Sequence, residues 1–139
     1  MPANTTPIFT LTPNCPVVEI AAANIARDGS GTLVTLFTAG VNGSRIESIT
    51  FTSAQATAAL NSAMVGRVFL TDTAGANPRL INEIVITAVT ASNTVVGANN
   101  TILFSNGLII PSGCILKVAQ SVYAGVQDKV HVVAKGGNY

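Results

Sequence analysis

KVHVVAK, from Lys129 to Lys135, sets Val130, Val132 and Ala134 on one side of an extended chain and Lys129, His131 and Lys135 on the other. Successive side chains of a β-strand point to opposite faces, so this stretch reads as a strand with one face on a core and the other in water. That is the pattern of an antiparallel sheet solvated on one side. Working back from it, the chain breaks into short segments rich in Thr, Val and Ile, separated by Gly, Asn and Pro. Val17–Ala22 precedes the turn RDGSG at Arg27–Gly31. Thr32–Phe37, the turn GVNGS and Arg45–Thr52 follow. Met64–Asp72 and Leu80–Val89 flank TDTAGANPRL, whose Asp72, Gly75 and Asn77-Pro78 carry turn chemistry. Asn100–Phe104 and Cys114–Val122 complete the set, with Pro111-Ser112-Gly113 a tight turn between them.

No long apolar period of 3.6 residues interrupts this series. The expectation is therefore an all-β fold: an antiparallel β-sandwich or jelly roll of about eight strands with an extended N-terminal arm. SAQATAALNSA, from Ser53 to Ala63, reads either as one or two helical turns or as a loop, and its length suits a crossover. Residues 1–16 carry Pro2, Pro7, Pro13 and Pro16, a spacing that neither a helix nor a central strand accepts. They are expected to form the arm, with 17–139 as a single sandwich domain. Ile8, Phe9 and Leu11 are costly to leave in water, so the arm packs on the body or a neighbouring subunit, or else is an edge strand of its own domain.

Composition narrows function. The chain has 139 residues, 48% hydrophobic and only 9% charged, with seven Lys and Arg against six Asp and Glu for a net charge of +1. Such a balance generates no field that would gather nucleic acid or an anionic membrane. No stretch approaches the roughly 18 apolar residues of a spanning helix. A surface so poor in charge points to cover by other protein subunits. The start MPANTTPIFT shows neither a basic n-region nor an apolar h-region, which points to synthesis and first use in the cytoplasm. Cys15 and Cys114 fit no metal or redox spacing. Free, partly buried thiols are expected, with a Cys15–Cys114 bridge as the competing arrangement.

Residues able to carry chemistry are few. His131 stands alone, with lysines as its neighbours on the strand face, so a triad or metal site would need acids from elsewhere. Asp28, Asp72 and Asp128 fall where turns begin, a position that suits local hydrogen bonding. No phosphate loop, calcium loop or aromatic platform is visible. Accordingly no catalytic residue, cofactor or metal is expected. Arg67 and Glu83 lie on successive strands that could pair, which suggests a cross-strand ion pair. Arg45 and Glu47 share a face, and some of these charges are expected at subunit contacts.

Three stretches carry a resemblance: GRVFLTDTAGANPRLINEIVI (Gly66–Ile86), IIPSGCILKV (Ile109–Val118) and the ending AKGGNY (Ala134–Tyr139). Their order resembles small β-rich structural proteins of tailed bacteriophages: a strand with R-V-[FW], a polar turn, a strand with N-E, a P-x-G turn and a C-terminal G-G-[DN]-[YF]. The resemblance implies a virion protein, a capsid decoration or cement protein that sits on the outer capsid surface as a homotrimer and binds the major capsid protein or another virion protein. The residues expected at partner contacts are Ile8, Phe9, Leu11, Arg67, Glu83 and Tyr139. Alternatives are a neck, tail or head-fibre component, or a receptor- or carbohydrate-binding module at the particle surface. A small jelly-roll enzyme is disfavoured because metal sites of that class need several histidines.

Overall fold

The computed structural model describes residues 10–55 and 59–139, and everything below concerns these. Nine strands follow in chain order: β1 Thr12–Asn14, β2 Val17–Ile20, β3 Val34–Thr38, β4 Ser44–Ser53, β5 Met64–Leu70, β6 Arg79–Ile86, β7 Asn99–Ile110, β8 Ile115–Gln120 and β9 Val130–Asn138. A single 3-10 turn spans Val126–Asp128, and there is no α-helix among the described residues. From β2 onward the strands nest as antiparallel pairs: β2 with β9, β3 with β8, β4 with β7, and β5 with β6. Two further ladders, β4 with β9 and β5 with β8, roll this ribbon into two sheets. One has the order β1-β9-β4-β7 with β2 also on β9, the other β3-β8-β5-β6. Four nested rungs rolled in this way make a jelly roll, so the strand order decides between the two architectures that alternation alone left open.

The core lies between the sheets. Val130, Val132 and Ala134 of β9 are fully buried beside Ile46, Ile49 and Phe51 of β4, and face Val68 of β5 with Leu116 and Val118 of β8. Each fully buried Ile, Leu or Phe side chain contributes about 1.5–3 kcal/mol relative to an exposed one. His131 and Lys135 are exposed on the opposite face of β9 and Lys129 is half-buried, as the alternation of KVHVVAK requires.

Several boundaries differ from expectation for identifiable reasons. β7 runs to Ile110 rather than Phe104, because the polar stretch Ser105–Gly107 interrupts pairing without ending the strand. Leu103 pairs with Ser48 and Leu108 with Ile46, so the chain makes an excursion between them, with Gly107 at φ +71°. β9 continues to Asn138 through two glycines that the approach of neighbouring strands demands. A Cβ on Gly136 would meet the backbone carbonyl oxygen of Arg45, and one on Gly137 would lie 2.7 Å from Thr12 O. Thr12–Asn14 is an edge strand of the chain's own sheet, with Thr12 opposite Asn138 and Asn14 opposite Gly136. Of the apolar trio, Ile8 and Phe9 lie outside the described residues. In the Ser53–Ala63 stretch residues 56–58 also lie outside them, and the flanking described residues contain no helix. Cys15 and Cys114 are both free; Cys15 is exposed, not partly buried, and Cys114 is half-buried.

Candidate functional site

Arg67 and Glu83 stand opposite each other on β5 and β6, and Arg67 Nε donates to Glu83 Oε1 at 2.8 Å, the expected cross-strand pair. The sequence did not reveal two further partners. Arg27, in the loop between β2 and β3, donates to Glu83 Oε2 at 2.7 Å, and Arg67 Nη1 donates to the carbonyl oxygen of Asn24 at 2.9 Å. Asn24 is itself buried, and its Nδ2 donates to the carbonyls of Ser30 and Thr32. The loop is thereby curled on Asn24 and pinned over the outer face of the second sheet. Arg67 faces this loop from beneath and is only 7% exposed. Hydrogen bonds from Arg67, then from Arg27, hold the Glu83 carboxyl below the usual range against the opposing effect of burial. A shallow groove of about 360 Å³ runs beside the cluster, lined by Arg27, Val65, Arg67, Glu83, Ile84 and Val85.

The remaining predicted residues are spread over the molecule. Leu11 is 81% exposed just before β1, and its N–H donates to the carbonyl of Asn138. Tyr139 is half-buried, its N–H donating to Gly43 O at 3.2 Å. These two lie near the termini, while Arg67 and Glu83 pair on β5 and the edge strand β6 of the second sheet. No single site gathers all of them.

Acid–base chemistry finds little material. His131 lies directly across from Glu19 of β2, and its Nε2 is 3.2 Å from Glu19 Oε2. Lys129 reaches the other oxygen at 3.1 Å. The Lys129 hydrogen bond, then that of His131, lowers the Glu19 pKa. Asp28 is bonded to Ser30, Asp72 to Ala74, Ala76 and Asn77, and Arg45 stands 4.0 Å from Glu47. Each carboxylate thus has its partner within the chain, and no three His, Cys, Asp or Glu converge on a metal-sized site among the described residues.

Asp128 departs from its expected role. Rather than capping a local turn only, it is fully buried and ties the β4–β5 loop to the β8–β9 loop at one end of the sandwich. Its Oδ1 accepts from Ser62 N at 2.7 Å, and its Oδ2 from Ala124 N at 2.7 Å and Ser62 Oγ at 3.1 Å. Burial pushes its pKa up, yet the N–H groups of Ser62 and Ala124 and the Ser62 hydroxyl leave it lowered overall. Asn61 is the second keystone, with Nδ2 donating to Thr87 O and Oδ1 accepting from Val89 N. Over this framework Leu60, Val95, Val96 and Val126 are exposed.

The molecule is therefore an antiparallel jelly roll with hydrogen-bonded loops and several exposed apolar side chains. No protein-family model matches the chain, and no curated protein matches it. Among solved structures it is similar to chains of infectious bursal disease virus. One is from the viral particle, at 16% identity and a TM-score of 0.37 over 93% of this chain; another is from the VP2 subviral particle, at 20% identity and 0.29 over 91%. In both cases this chain spans about a third of the other's length, 32%. At these scores the likeness carries no functional argument.

Proposed function

We propose that the chain is a structural virion protein of a tailed bacteriophage, a capsid decoration or cement protein that binds the outer surface of the shell as a trimer. The surface carries the reading. Seven basic and six acidic side chains serve 7456 Å² of exposed area, while Leu11, Ile25, Val41, Val96 and Leu103 are each at least 75% exposed. Apolar side chains so displayed favour cover by protein. Jelly rolls serve viral capsids, lectins and cupins. One exposed histidine does not suit a cupin-type metal site, and Tyr123 and Tyr139, both half-buried, do not make a sugar platform. The structural role is the member of that set that this surface fits. Light scattering on the purified protein tests the assembly: about three or six times the chain mass supports it, and a monomer, dimer or tetramer at 100 µM overturns it. Co-sedimentation with capsids of the encoding phage then tests the decoration role, and protein left in the supernatant overturns that part.

A further inference from the structure

A sheet edge is an association template wherever its outer strand points backbone groups at no partner, and proteins blunt such edges with short strands, proline, charge or irregular pairing. Three of the four edges here are blunted. β1 and β2 run three and four residues and are broken by Pro13 and Pro16. β3 has five residues and an irregularity between Thr35 and Phe37. β6 carries Arg79 and Glu83. β7 differs: Asn99–Leu103 pairs with β4 without a register shift, the strand holds no proline, and it lies inside a run from Ile84 to Leu116 that holds no Asp, Glu, Lys or Arg.

The phase of its ladder shows which groups are open. Ser53 N–H donates to Ala98 O at 2.8 Å. Hydrogen-bonded pairs alternate with non-bonded ones in an antiparallel ladder, so Ala98, Asn100 and Ile102 turn their backbone groups toward β4. Asn99, Thr101 and Leu103 turn theirs to the free edge. The side chains of these three are also exposed, Leu103 by 75%. Past Leu103 the excursion to Leu108 ends the regular edge.

We propose that the edge Asn99–Leu103 pairs antiparallel with the same edge of a second copy, about a two-fold axis at Thr101, joining two jelly rolls through one continuous sheet. Backbone donors and acceptors at strand spacing require a strand, which a lipid surface cannot supply. An edge without charge meets its own copy with no like-charge repulsion. Antiparallel pairing maps the segment onto itself, with Thr101 facing the partner's Thr101 and Asn99 facing the partner's Leu103. A two-fold contact also closes at two copies, so an unprotected edge need not propagate into fibres.

The test measures the mass of the full chain by light scattering for the wild type, for Thr101→Lys and Thr101→Glu separately, and for the two variants mixed. With the trimer proposed above, the wild type is expected at six times the chain mass, two trimers joined through their β7 edges. Each variant halves it, weakening the contact by about tenfold or more, because like charges meet across the axis. Mixing Lys with Glu restores it. The double variant Asn99→Lys with Leu103→Lys, mixed with Asn99→Glu with Leu103→Glu, repeats the test with like charges facing across the seam and without disturbing the 2.8 Å bond between Thr101 and Thr50 hydroxyls. Masses unmoved by charge, or halved masses that mixing fails to restore, overturn the seam. A trimer indifferent to these substitutions overturns the seam while leaving the proposed three-fold assembly standing. A charge-sensitive dimer or tetramer does the reverse, and a hexamer that splits into trimers supports both.

Discussion

Asp128 holds a buried negative charge with no ion-pair partner among the described residues, which is tolerable only because three donors converge on its two oxygens. Replacing it with Asn keeps the volume but aims an NH₂ group at an N–H donor, so Asp128→Asn is expected to cost about 2–3 kcal/mol in urea unfolding. A cost below about 0.5 kcal/mol would mean that the donors find other partners. The same reasoning sets the acid response. The pKa values of Glu19, Asp28, Asp72, Glu83 and Asp128 all lie below their ordinary values of 4.5 for Glu and 3.8 for Asp. A carboxyl with a depressed folded pKa adds stability that is fully present above its unfolded pKa and lost as pH falls through the folded one. The melting temperature should therefore hold from these groups' standpoint above about pH 5 and drop below about pH 4.5. A melting temperature that rises on acidification would contradict the assignment. Arg67 belongs with this group of internal ties. Arg67→Ala should cost about 2–4 kcal/mol, since it strands the Asn24 carbonyl and removes half of the Glu83 clamp.

β9 shows at the level of elements what the sequence made legible and what it did not. Alternation in KVHVVAK marked the buried and open faces correctly, because a period of two is a local property. Its continuation through Gly136 and Gly137 depends on the approach of β1 and β4, distant in sequence, and no local pattern contains that. The same holds for Asp128, whose partner Ser62 is 66 residues away. By contrast, Arg67 with Glu83 was readable because consecutive strands tend to pair. Arg27 was not, since its loop folds over the sheet only once Asn24 has curled it. Gly136 and Gly66, each crowded by a neighbouring strand, give a graded test. Gly136→Ala drives a methyl group into the Arg45 backbone, which cannot give way as a side chain could, and should cost about 2–3 kcal/mol or prevent folding. Gly66→Ala meets Phe51 Cε1 at 2.7 Å inside the core and should cost about 1–3 kcal/mol. Equal stability of either variant with the wild type, read by chemical denaturation, would place these strands farther apart than described.

For the whole molecule, the sparse charge and exposed apolar side chains make stability a function of concentration. A subunit whose surface is covered only after assembly gains free energy that the isolated chain lacks, and mass action makes that gain grow with protein concentration. In a dimeric assembly a hundredfold rise adds about 1.4 kcal/mol per chain, which for a domain of this size raises the melting temperature by about 3–5 °C. Calorimetry from 1 to 100 µM should show that rise in the wild type, and Thr101→Lys should flatten whatever part comes from the β7 edge. If the melting temperature is level across the range for the wild type, self-assembly does not cover the surface, and the exposed side chains of Leu11, Ile25, Val41 and Val96 belong to a foreign partner. The slope thus separates the two kinds of cover: a particle protein that completes itself before docking melts higher as it is concentrated, whereas one completed only by the shell melts at one temperature until capsids are added.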